Sequence, residues 1–62
     1  MKRSEFLRHL RTHGCVLIRE GANHSWWGNP SANRRSSVPR HNELSDILAR
    51  KISKDLGIPF TR

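Results

Sequence analysis

Cys15 is the single cysteine in a chain of 62 residues, and that limits the folds open to it. A chain this short is near the lower size at which a core holds without a disulfide, a metal or a partner. One thiol forms no internal disulfide. Together with the scattered His9, His13, His24 and His41 it also lacks the paired ligand spacing of a structural zinc site. The fold must rest on apolar packing, within a single domain spanning residues 1–62. A lone cysteine suits a reducing compartment. Met1-Lys2-Arg3 followed by a mixed polar segment does not resemble a signal peptide, and no apolar run reaches membrane-spanning length. The expectation is a cytoplasmic protein in which Cys15 packs as a small hydrophobe and is no nucleophile.

Residues 3–13 read as a helix, with Ser4 as its N-cap and Glu5 near the positive end of the dipole. Phe6, Leu7 and Leu10 form a narrow apolar stripe, while Arg8 and Arg11 fall on other, solvated faces. His9 and His13 share a face, and Gly14 supplies a left-handed stop. Residues 15–20 read as a strand. Its first four residues are all apolar, so alternation does not say which face is inward. Residues 20–23 make a turn, in which Gly21 can take positive φ. Residues 24–28 are a second strand, with His24 and Trp26 on one face and Ser25 and Trp27 on the other. After a loop at 29–33, residues 34–38 return as a third strand ended by Pro39.

A second helix begins at about Leu44 or Ser45 and runs to Leu56, with Asn42 and Ser45 as candidate caps. Leu44, Ile47, Leu48, Ile52 and Leu56 supply its stripe; Gly57 and Pro59 end it. The order α-β-β-β-α predicts an α+β fold: a three-stranded antiparallel meander with two helices on one face. The other face of the sheet is then left open to a ligand or partner, and one tryptophan should lie on it.

Twelve Lys/Arg against five Asp/Glu give a formal charge of +7. On so short a chain this predicts attraction to polyanions, nucleic acid first. Arg34, Arg35 and Arg40 flank the third strand and suit phosphate, or form a solvated charge run. Lys2, Arg3, Arg8 and Arg11 can extend the basic surface. The stretch Gly21-Ala22-Asn23-His24-Ser25-Trp26-Trp27 places an imidazole just past a turn, among these cations. By residue chemistry alone His24 reads either as a surface or capping residue or as a proton carrier. His41 orders the strand–helix junction, touches phosphate, or carries a second proton. One tryptophan can stack on an unpaired base while the other fills the core. If His24 faces ligand, alternation puts Trp26 beside it and Trp27 inside, unless a bulge reverses the order.

Lys2-Arg3-Ser4-Glu5-Phe6, Gly14, Gly21-Ala22-Asn23-His24, Asn29-Pro30, Val38-Pro39-Arg40-His41 and Asp55-Leu56-Gly57-Ile58 follow one another in the order and spacing of the HicA toxin family, which the chain resembles over essentially its whole length. The resemblance implies a fold like the double-stranded-RNA-binding domain. It also implies ribonuclease activity on messenger RNA, a catalytic histidine at His24, and a partner antitoxin, HicB, that blocks the active site. Ala22 stands where serine is common in the family, and the Trp26-Trp27 pair is bulkier than many members carry. The expected chemistry is 2′-hydroxyl attack leaving a cyclic phosphate, which needs no metal or other cofactor. An antitoxin is expected to cover the His24 face and set acidic residues against the Arg34–Arg40 region. The alternatives are a small RNA-binding module that grips without cutting, and a basic accessory subunit whose open sheet face docks protein.

Overall fold

The computed structural model describes residues 1–60. Helix α1 spans Arg3–Thr12, strands β1, β2 and β3 span Val16–Glu20, His24–Asn29 and Arg34–Pro39, and helix α2 spans Asp46–Asp55. The strands form one antiparallel sheet in the order β1-β2-β3. This is the small α+β fold that the sequence predicts, in the predicted order. Both expected stops take left-handed backbone, Gly14 at φ 83° and Gly57 at φ 72°, where a side chain would be strained.

The helix starts differ from each other. Ser45 caps α2, its side chain accepting from the Leu48 N–H at 3.1 Å. Ser4, expected to cap α1, lies inside that helix instead; the cap position is Lys2, whose side chain makes no capping bond. The reason is long-range. Lys2 bridges Glu43, Arg3 N–H donates to Asn42 O at 2.9 Å, and Leu44 N–H donates to Met1 O at 2.8 Å. The chain just before α2 thus supplies the acceptor that a local cap would otherwise provide.

The helices cover one face of the sheet. Phe6 and Leu10 of α1, Ala49 and Ile52 of α2, and Leu44 and Leu56 at its flanks enclose Trp27 and Val38 in one buried cluster with Cys15. Cys15 sits just ahead of β1, and burial pushes its thiol pKa up, which keeps it protonated and unreactive. The second stripe contains one misplaced residue: Ile47 is 80% exposed, and the inward positions belong to Ala49 and Ser53. The i, i+1, i+4 face defined by Leu48, Ala49 and Ile52 turns Ile47 outward. Arg11, expected to be solvated, stays exposed but lies across the Trp27 ring, 5.1 Å from its centroid. There it covers the ring face and gains a cation–π contact.

Over the first four residues of β2 the burial alternates as period two requires. His24 and Trp26 are exposed, and Ser25 and Trp27 are buried. The irregularity falls on β1, where the register slips between Leu17 and Arg19: Leu17 pairs Trp27, and Arg19 pairs Trp26. Ile18 is therefore the extra residue of a β-bulge, which places Ile18 and Arg19 together on the open face. Val16, Leu17 and Ile18 are each about half exposed at this edge strand.

Candidate functional site

His24 opens β2 at the rim of the uncovered face, opposite Pro39 of β3. The main chain around it is tied down. Gly21 N–H donates to His24 O at 2.7 Å, closing the turn between β1 and β2. A Cβ on Gly21 would stand 3.0 Å from that same oxygen. Glycine eases this close approach; the positive φ expected of the turn is not adopted by Gly21.

A chain of charge-assisted bonds runs behind the turn. Arg40 donates through Nη2 to Gly21 O at 2.6 Å and to Glu20 Oε1 at 2.7 Å. The buried Ser25 hydroxyl donates to the same Glu20 oxygen at 2.6 Å. Arg3, from α1, donates through Nη2 to Ser25 Oγ at 2.9 Å and through Nε to Pro39 O at 2.8 Å. Both neighbours of His24, Ser25 in sequence and Pro39 across the ladder, are thus held by one guanidinium. Networks of this kind fix geometry even where each exposed pair adds little stability. The His24 imidazole itself has no hydrogen-bond partner among the described residues; it is exposed, on a fixed backbone, and available to a ligand.

Glu20→Ala tests this reading. Loss of the shared acceptor is expected to speed amide exchange at Gly21 about tenfold, the equivalent of one charged hydrogen bond of about 1.5 kcal/mol. Global stability should change by less than about 1 kcal/mol, because Glu20 and Arg40 are exposed. Unchanged exchange at Gly21 would show that the network does not hold the turn.

The other residues singled out from sequence separate into three places. Arg40 and His41 leave β3 at the His24 end of the sheet, and His41 is exposed there with no partner among the described residues. Trp26 and Arg35 lie on the open face, Arg35 opposite Gly28 in the ladder. Arg34 stands at the far end, opposite Asn29, and turns toward the helices: its Nη1 is 3.4 Å from Lys54 O, and its side chain packs against Gly57. That carbonyl belongs to the last turn of α2, where a cation suits the dipole.

The cations also differ in what they are committed to. Arg3 and Arg40 are bonded internally, whereas Arg19 and Arg35 have no partner among the described residues. Sequence reasoning passed over Arg3, Ser25 and Glu20 as parts of the site. One signal was there: Glu20 is the sole acid between Glu5 and Glu43, directly before the turn glycine.

Among the described residues no group of three His, Cys, Asp or Glu side chains is placed to hold a metal ion, and no helix is long and apolar enough to cross a membrane. The arrangement offers an exposed imidazole at a hydrogen-bonded turn, on the same face as an exposed aromatic ring and guanidinium groups that are unpaired among the described residues. A family model described as "HicA toxin of bacterial toxin-antitoxin" matches residues 3–58. No curated protein and no solved structure matches the chain.

Proposed function

The chain belongs to the HicA toxin family, and from that premise we propose that it is a metal-independent endoribonuclease, cutting messenger RNA in the cytoplasm with His24 as its catalytic group. Membership makes it the toxin of a toxin–antitoxin system and implies an antitoxin partner. The observation that carries the catalytic reading is the state of His24: an exposed imidazole with no partner among the described residues, at a turn held by a hydrogen-bond network of six other residues.

With RNA laid across the open face, His24 takes the proton of a 2′-hydroxyl. The 2′-oxygen then bonds to the adjacent phosphorus, the bond from phosphorus to the 5′-oxygen breaks, and that oxygen takes up a proton. The products are a 2′,3′-cyclic phosphate and a 5′-hydroxyl. Run through the other partner, His24 serves as the acid on the leaving oxygen. Arg35, and the nitrogens of Arg40 outside the turn network, neutralise phosphate; His41 reaches phosphate at the same end, and Arg34 adds to the field from the far end. One strong acid/base group, aided mainly by positioning, points to a modest turnover. A HicB-type antitoxin would silence the toxin by covering the His24 face and setting carboxylates against Arg35 and Arg40.

The test is cleavage of RNA by the purified protein in EDTA, with the product ends identified. Cleavage that persists in EDTA and leaves cyclic phosphate and 5′-hydroxyl ends is the expected result. Cleavage abolished by EDTA and restored by a divalent cation would refute metal independence. Salt-sensitive RNA binding with no cleavage under either condition would favour the reading of a binding module that grips without cutting.

A further inference from the structure

The bulge in β1 builds something on the open face that the catalytic chemistry does not use. Ile18 and Arg19 emerge together beside Trp26, and with Arg35 they line a shallow groove of about 540 Å³. The Trp26 ring is 38% exposed and Ile18 is 47% exposed. Gly28 is what lets Ile18 lie inward over β2: a Cβ there would stand 2.7 Å from the Ile18 Cδ1 atom. The groove therefore has an aromatic wall, an aliphatic wall, and a guanidinium on each side. Neither Arg19 nor Arg35 is paired among the described residues, in contrast to Arg3 and Arg40.

We propose that this groove is a nucleobase subsite, which takes one unpaired base of a single-stranded RNA between Trp26 and Ile18 while Arg19 and Arg35 hold the phosphates on either side. The proposal rests on the RNA-directed reading above and narrows its substrate to a single strand. A flat ring face is offered by any base once it is unstacked, and by no base inside a duplex. Two unpaired cations flanking an apolar slot match the alternation of phosphate and base along such a strand, and the +7 charge of the chain supplies the long-range attraction. Trp26 and His24 are two residues apart on the same face of β2, about 7 Å along the strand. A base seated in the groove thus belongs to a nucleotide next to the one whose phosphate lies at His24. Its seating would splay the backbone there and free the 2′-hydroxyl for in-line attack.

Binding can be separated from cutting with a nuclease-resistant 2′-O-methyl oligoribonucleotide, single-stranded or annealed to its complement. Trp26 is exposed and Trp27 is buried, so stacking is read directly as quenching of the exposed tryptophan. The single strand is expected to quench and the duplex to bind more weakly without quenching. Trp26→Leu should remove the quenching and weaken single-strand binding about tenfold, and Arg19→Gln and Arg35→Gln should each weaken it and reduce its salt dependence. Circular dichroism checks that each variant is folded; Arg19 and Arg35 are exposed and unpaired, so their variants test the groove even where Trp26→Leu disturbs the sheet. Equal binding of duplex and single strand, or single-strand affinity unchanged by all three substitutions, would overturn the subsite. Binding of neither form would overturn it as well and would leave the groove as a surface for a protein. Because the probe lacks a free 2′-hydroxyl, a subsite confirmed by it stands even if natural RNA is never cut, and that second result would count against the catalytic role of His24 alone.

Discussion

On the proposed mechanism, His24→Ala is expected to cut RNA at least about a thousandfold more slowly than the wild-type protein, within the range that general acid–base catalysis supplies, and to relieve the growth arrest expected of the wild-type chain expressed without an antitoxin. The fold should be indifferent to the change. The imidazole is exposed and bonded to nothing among the described residues, so its removal should shift stability by less than about 0.5 kcal/mol. The bond that closes the turn runs from Gly21 N–H to the His24 carbonyl, and alanine keeps that carbonyl. Two measurements on one sample decide the matter: the single-turnover rate and the midpoint of urea unfolding. A lost rate with an unchanged midpoint assigns chemistry to the imidazole. A full rate would remove His24 from the mechanism, and a lost rate accompanied by a lowered midpoint would mean that the substitution acts through the fold.

The parts of this arrangement that the sequence discloses are those governed by local rules. Glycine stops at Gly14 and Gly57 follow from the cost of left-handed backbone. The facing of His24 and Trp26 away from Ser25 and Trp27 follows from period two along an unbroken strand. What stays hidden depends on residues far apart. The α1 start is satisfied by Asn42 O, 39 positions away from Arg3, and no local pattern at Ser4 discloses that. Arg3 reaches Ser25 and Pro39 across separations of 22 and 36 residues, so a guanidinium that reads as part of a basic surface becomes a brace behind the turn. The β1 bulge is hidden for a different reason: Cys15 to Ile18 is apolar throughout, and a run without alternation carries no mark of where its facing slips. That slip nevertheless makes the groove, since a regular strand would send Ile18 and Arg19 to opposite faces.

Adjacent tryptophans with opposite burial lead to opposite expectations. Trp27→Ala is expected to lose most of the protein's stability and to melt far below the wild-type temperature. The ring is 2% exposed at the centre of the one apolar cluster, and truncation of such a side chain costs about 3–5 kcal/mol in transfer and cavity terms together. Domains carry roughly 0.05–0.15 kcal/mol of stability per residue, so a chain this short holds on the order of 3–9 kcal/mol in all. One cavity then consumes most of the margin, and no disulfide stands in reserve, because Cys15 is the sole cysteine. Trp26→Ala, one position away, empties a half-exposed site on the open face and should cost about 1 kcal/mol or less. Thermal unfolding of the two variants by circular dichroism compares them directly. A Trp27→Ala protein that melts cooperatively near the wild-type temperature would mean that the core closes without its largest side chain, and the placement of the two rings on opposite faces would have to be abandoned. A far lower melting temperature in Trp27→Ala beside a near-wild-type one in Trp26→Ala would instead tie function to the same alternation: with Trp27 filling the core, β2 must present His24 and Trp26 together to whatever binds the open face.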